Sequence, residues 1–253
     1  MFAEERLNEI LNMLNENGRI KVKDLSEKFK VSEGMIRKDL QKLEKSHNIQ
    51  RTYGGAILNR KIVSCSALST RMSIHLDSKE LIAQKAFEAI DEGDIIFLDS
   101  SSINFLLATL IANGSKSLTL VTNMPIITPF FDNNETVTLI CIGGIYDKKS
   151  GAVLGADVIR DIEHYNFNKG FIGSSGINII TKTVSTATLE DGLIKEAIIS
   201  NSKEIFLLTE KEKFTVDGTY KYANLEDIST IITDSNLSNE IKMKIKKLNI
   251  EIF

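Results

Sequence analysis

The first apolar period of the chain lies close to its start. Leu7, Ile10, Leu11 and Leu14 recur at i, i+3, i+4 and i+7, which predicts an amphipathic helix over residues 4–16. Asn17-Gly18 ends it, because glycine accepts the left-handed conformation of a helix C-terminus. A second short helix is predicted over Lys23–Phe29, with Val22, Leu25 and Phe29 turned inward. After a tight connection at Lys30-Val31, Ser32 offers a hydroxyl as N-cap for a third helix reaching about Lys45. On it Ile36, Leu40 and Leu43 face a core, leaving Arg37, Lys38, Gln41 and Lys45 outside. Residues 49–53 alternate and run into Gly54-Gly55, as a small hairpin does.

Residues 57–76 show no period. Beyond them, short apolar runs at 94–98, 118–122, 137–142, 170–173, 204–208, 228–233 and 248–253 alternate with helical patterns at 78–91, 103–112, 124–131, 157–164, 189–200 and 237–247. Nearly continuous apolar strands separated by helices predict a parallel-rich α/β sheet buried on both faces. The direction of the final strand is left open. The expected organisation is therefore a head over 1–57, a linker over 58–76 and a larger α/β body over 77–253.

Composition narrows the class. Of 253 residues, 42% are hydrophobic and 26% charged, ordinary for a chain that buries a core. No run approaches the ~18 apolar residues of a membrane helix, and the acidic start MFAEERLNEI lacks a signal-peptide layout. Cys65 and Cys141 stand apart without a CxxC or histidine cluster, so we expect buried or inert thiols, no metal, no cofactor, and the cytoplasm as compartment. The net charge is −3, yet Arg19–Lys61 holds eight lysines and four arginines against five acids. That local excess of seven fits a nucleic-acid-binding head on an acidic body, and on this observation alone it fits a solvated charged face equally well.

Three short helices followed by a hairpin make a winged helix-turn-helix. Its third helix enters a DNA major groove N-terminus first, which nominates Ser32, Gly34, Met35, Arg37, Lys38 and Gln41 for DNA, with Arg51, Tyr53, Gly54 and Gly55 on the wing. In the body, Ser100, Ser101 and Ser102 fall between a strand and a helix, where hydroxyls and a helix N-terminus together suit a phosphate. Asp99 could accept from sugar hydroxyls, and Lys195 or Lys213 could neutralise a phosphate. The same serines could equally be a helix cap and a turn.

The stretches RLNEILNMLNENGRIKVKDLSEKFKVS, IRKDLQKLE and RTYGGAI over residues 6–57 resemble the DNA-binding head of the DeoR family of bacterial sugar-metabolism regulators. Residues 71–233 resemble that family's effector domain through signposts in order: Arg71, Lys79, LDSSS at 98–102, Thr122-Asn123, Gly143-Gly144, Gly151, Gly155, FIGSSGI at 171–177 with Gly173 and Gly176, Glu190, Lys195, and LLTEKEKF at 207–214 with Lys213. The resemblance implies a body related in fold to ribose-5-phosphate isomerase and coenzyme A transferases. It also implies an operator DNA partner, a phosphorylated sugar or related effector, a homodimer or homotetramer, and repression of a carbohydrate operon.

The chain departs from the family pattern at several places. Gly34 and Met35 stand where the family has a helix former and a threonine, and Met35 suits a thymine methyl. Ser101-Ser102-Ile103 stands where Gly-Thr-Thr is usual, putting a Cβ where a positive φ was expected, and Glu210 replaces an aspartate. Two other readings remain open: a sugar-phosphate isomerase-like enzyme, for which His47, His75 and His164 offer little, and a DNA-binding oligomer without an effector.

Overall fold

The computed structural model describes residues 2–46, 49–234 and 237–253, so His47 lies outside the described residues. The chain divides into two compact units, Met1–Ile62 and Val63–Phe253. The division falls inside the stretch expected as a linker. From Val63 onward that stretch is built into the second unit and holds a helix, Leu68–Met72, with Leu68 buried.

In the first unit, helices Ala3–Asn17, Val22–Phe29 and Glu33–Ser46 surround a core of Ile10, Leu14, Leu25, Ile36, Leu40 and Leu43. The Gly18 N–H caps the first helix on Leu14 O at 2.7 Å. Lys30 takes φ 52° in the tight turn before the third helix, where Ser32 Oγ accepts from Met35 N at 3.3 Å. Arg6 and Asp39 form a buried ion pair at 2.7 Å that ties the first helix to the third. The wing is a three-stranded antiparallel sheet in the order Arg19–Lys21, Gly55–Leu58, Ile49–Thr52. Its first strand is absent from the pattern reading, because three residues are too few to show a period.

Gly34 lies in the third helix, and a Cβ there would meet nothing nearer than Ser32 Oγ at 3.9 Å. Gly34→Ala is therefore expected to stabilise the head by about 1 kcal/mol, the helix-propensity difference. Urea unfolding of the variant checks this, and an unchanged midpoint would contradict it.

The second unit is a seven-stranded sheet in the order Glu251–Ile252, Thr230–Thr233, Ser202–Thr209, Phe167–Gly173, Ile95–Leu98, Leu118–Thr122, Val137–Cys141. Every pairing in it is parallel, including that of the last strand. Alternation assigns the two faces. Ile96, Leu98, Phe171, Phe206 and Leu208 pack with helices Leu76–Glu88 and Ser102–Ala112, whereas Phe97, Ile172, Ile205 and Leu207 pack with Ala156–Ile162 and Leu189–Ser200. The helix expected at 124–131 is a 3₁₀ turn, Pro125–Phe131, since Pro129 has no N–H for an α-helical bond. Two small antiparallel elements were not anticipated, because their strands are short and part-polar: a hairpin, Ile145–Asp147 with Ala152–Leu154, and a sheet of Gly176–Asn178, Thr183–Thr186 and Tyr220–Asn224.

Strand order reverses between Ile95–Leu98 and Phe167–Gly173: from the first the chain steps outward to one edge, from the second to the other. In an open parallel sheet the loops at the carboxyl ends of such a pair diverge to opposite faces and leave a crevice between them, where ligands collect.

Candidate functional site

In the head, Ser32 just before the third helix and Gly34, Met35, Arg37, Lys38 and Gln41 along it are all exposed. Arg37 Nη2 lies 2.7 Å from Glu33 Oε2, an exposed pair worth no more than about 1 kcal/mol and easily exchanged for a phosphate. Arg51 is held on Glu44 at 2.7 Å, and Tyr53 projects fully into solvent at the wing tip beside Gly54. Gly55 is different: it is buried, and a Cβ there would come 2.0 Å from Ile20 O. The close approach of the Arg19–Lys21 strand accounts for that glycine, so its role is in packing the wing.

In the body, the crevice at the reversal point holds a cavity of about 490 Å³. Arg71, Lys79, Ser100, Ser101, Ser102, Gly173, Glu190, Lys195 and Lys213 all line it. Ser101 is the N-cap of helix Ser102–Ala112, accepting from Asn104 N at 3.2 Å. Its φ is −80°, so the side chain replacing the family's glycine costs no backbone strain. Space for it comes from Gly173, where a Cβ would lie 2.6 Å from Ser101 Cβ. A second helix N-terminus opens on the same cavity: Thr188 caps Leu189–Ser200 by accepting from Asp191 N at 3.3 Å.

Beneath the serines lies a buried ion-pair network. Asp99 accepts from Ser101 N at 2.9 Å, Asn104 Nδ2 at 2.8 Å, Gly173 N at 2.7 Å and Lys195 Nζ. Lys195 also reaches Asp191 Oδ1 at 3.1 Å, and Asp191 accepts from the Thr186 hydroxyl. Burial alone would raise the Asp99 carboxyl, but Lys195 and the donors from Gly173 and Ser101 hold it below its usual value. Burial would lower the Lys195 ammonium, but Asp191 and Asp99 hold it above its usual value. Asp99 has its acceptor sites filled by protein, so we assign it to fixing the Ser100–Ser102 loop. Lys195 is shared between two carboxylates and has little charge to spare for a ligand.

The remaining cations are differently placed. Lys79 donates to Arg71 O and to Ile74 O at 2.7 Å and sits 3.6 Å from Glu210. Burial pulls its ammonium down, Glu210 pulls it back up, and Lys213 and Arg71 press it down again. Arg71 donates to Ser150 O at 2.9 Å and Ser100 O at 3.4 Å, while its buried Nε finds no acceptor among the described residues. Among the described residues Arg71, Lys149 and Lys213 form no salt bridge, yet all three line the cavity.

Eight expected residues lie outside the lining, Asp99 beneath the serines among them. Thr122 and Asn123 are buried, Thr122 Oγ1 donating to Leu98 O and Asn123 Nδ2 to Val153 O. Gly143 and Gly144 border a separate shallow apolar depression. Gly155 caps helix Ala156–Ile162, and Gly176 packs against Val216. Gly151, also outside, has φ 74° and leaves room for Leu68, whose Cδ2 would lie 2.5 Å from a Cβ. Conversely, Ser64, Cys65, Ser66, Lys149 and Thr188 line the cavity without having been singled out. Only Thr188 carries a sequence signal, a hydroxyl just before a helical pattern. Neither cysteine is fully buried: Cys65 is intermediate and Cys141 exposed, because 137–141 is an edge strand. Among the described residues there is no group of three or more His, Cys, Asp or Glu that could hold a metal ion, and no helix long and apolar enough to cross a membrane.

Residues 6–61 match a DeoR-like helix-turn-helix domain and residues 74–235 a DeoR C-terminal sensor domain. The chain is 32% identical to the helix-turn-helix transcriptional regulator YulB of Bacillus subtilis (strain 168), over 94% of this chain and 91% of that protein. It is 30% identical to the transcriptional repressor GlcR of the same organism, over 92% and 89%. It is also 30% identical to the lactose phosphotransferase system repressor of Lactococcus lactis subsp. lactis, over 94% and 93%. Ribose 5-phosphate isomerase A of Methanocaldococcus jannaschii superposes with a TM-score of 0.41 at 14% identity, over 55% of this chain and 54% of that one. With a DeoR-like head and a DeoR sensor domain in order, and relatives alike over nearly their whole length, the chain belongs to the DeoR family of transcriptional regulators.

Proposed function

We propose that this regulator represses a carbohydrate-utilisation operon in the cytoplasm and that a phosphorylated sugar or related metabolite, bound in the 490 Å³ cavity, changes its grip on operator DNA. The observation that carries the reading is the convergence on one crevice of two helix N-termini with Arg71, Lys149 and Lys213, cations that no carboxylate neutralises by a salt bridge among the described residues. Helix N-termini and unpaired cations both favour an anion. Glu190 and the hydroxyls of Ser174 and Thr188 line the same space and suit a polyol. Two relatives named as repressors, one of them of the lactose phosphotransferase system, support the direction of control. A homodimer or homotetramer follows on physical grounds, since tethering two small heads raises their joint affinity through effective concentration.

A phosphorylated metabolite is expected to bind at least tenfold more tightly than its dephosphorylated form. One charge-assisted hydrogen bond contributes about 1.5 kcal/mol, and about 1.4 kcal/mol is tenfold. Calorimetry on the full chain with matched sugar and sugar-phosphate pairs tests this. Equal affinities in every pair would remove the anion cradle and leave the serines as caps and turns.

A further inference from the structure

The cavity wall includes a segment with no helix or strand, residues 63–67. It is pinned at both ends. Val63 N–H donates to Asp217 O at 2.8 Å, and Leu68 N–H to Lys149 O at 2.9 Å. Beyond Leu68 the anchorage becomes firm. Leu68 fills the space left by Gly151, Arg71 grips Ser150 O and Ser100 O, and Lys79 holds the Arg71 and Ile74 carbonyls. Between the pins, Ser64 and Ser66 are exposed, Cys65 is half-buried, and all three border the cavity. Between two pinned ends, a span that belongs to no helix or strand is the cheapest part of the cavity wall to move. It also begins where the second unit begins, at the peptide bond after Ile62.

We propose that Val63–Ala67 is a strap that closes on the ligand and relays occupancy to the head. The proposal rests on the reading of the cavity as an anion site. A ligand shifts an equilibrium only through differential affinity for its two states. The strap supplies that difference: Ser64 and Ser66 offer hydroxyls, and its foot leads into Arg71 at the cavity. Closure repositions the residue that continues directly into Ile62. Coupling between ligand and DNA by this route is expected in the ordinary range of about 5–150-fold.

The test uses the full chain carrying Cys141→Ser, which leaves Cys65 as the sole thiol. Calorimetry and maleimide alkylation rates are measured with glucose 6-phosphate, fructose 6-phosphate, ribose 5-phosphate and inorganic phosphate. The expected result is binding by at least one sugar phosphate, with Cys65 alkylation slowed tenfold or more by the binder. In a second variant two glycines are inserted between Ser66 and Ala67. It is expected to bind the same sugar phosphate within about threefold of the parent, but that ligand should no longer change affinity for DNA selected from a random library. Binding with unchanged Cys65 reactivity overturns the strap and leaves the cavity reading intact. Protection of Cys65 together with full DNA response in the insertion variant overturns the relay. Failure of all four probes to bind overturns the cavity reading and the strap with it.

Discussion

Replacing Arg37 and Lys38 together by alanine is expected to lower operator affinity about a hundredfold while leaving the stability of both units unchanged. Both side chains are exposed on the N-terminal half of the third helix, and among the described residues their one side-chain hydrogen bond is that of Arg37 to the exposed Glu33. The fold therefore loses little when they are removed. Two charged contacts at about 1.5 kcal/mol each sum to about 3 kcal/mol, two orders of magnitude in affinity. If both reach phosphates, the slope of log affinity against log salt should fall by about 1.8. If instead they read base edges, affinity falls but the slope moves less and sequence discrimination relaxes. Fluorescence anisotropy of the double variant over a salt series separates these outcomes, and wild-type affinity with a wild-type slope would put the groove-reading surface elsewhere.

Lys195→Met is expected to destabilise the second unit by about 3–5 kcal/mol, because it strands the fully buried Asp99 without its counter-ion. Lys213→Ala is the contrasting change. Lys213 forms no salt bridge among the described residues and lines the cavity, so its loss should weaken anion binding with little effect on stability. The pair also sets a pH window. Asp99 is depressed in the folded state, so its contribution is fully present above the usual 3.8 and is lost as pH falls through the lower folded value. Lys195 is raised, so its contribution is fully present below the usual 10.5 and is lost as pH rises through the higher folded value. The gap between wild type and Lys195→Met should therefore be widest between these limits and narrow in acid, once Asp99 is neutral in both proteins. Urea denaturation across pH checks it. A loss below about 1 kcal/mol at pH 7 would mean that Asp99 is satisfied by Ser101, Asn104 and Gly173 alone.

The elements most legible in the sequence were those whose apolar pattern was long or strong. Ile10, Leu14, Ile36, Leu40 and Leu43 were assigned to a core by helical spacing and are all buried. The five-residue stretch 118–122 and its neighbours read as buried strands because both faces of the sheet are covered, so almost every position is apolar. What escaped was short or determined by distant residues. The strand Arg19–Lys21 exists because Gly55 lets another strand approach, a relation across thirty-odd positions that no local window contains. The path of 63–67 is set by Asp217 and Lys149 rather than by its own composition.

The candidate site shows the same division. Ser100–Ser102 could be placed at a strand-to-helix junction from local pattern alone, and Lys213 was legible as a charge near a strand end. The part taken by Asp99 and Lys195 was not legible. Both carry the right charges for a sugar phosphate, and only their separation of 96 positions closing into one ion pair shows that they chiefly serve each other. Likewise Gly143, Gly155 and Gly176 look like ligand turns in the sequence, whereas their surroundings place them in a shallow depression, a helix cap and a packing contact.

The central claim is that one chain couples an anion-binding cavity to a DNA grip. It is tested most directly by titrating sugar phosphates into the complex of the full chain with its selected operator and following anisotropy of the labelled DNA. The account predicts that at least one sugar phosphate shifts the operator dissociation constant about fivefold or more, that the matched unphosphorylated sugar does not, and that Lys213→Ala blunts the shift without altering DNA affinity in the absence of ligand. An operator affinity that stays the same with every phosphate and sugar tested would contradict it.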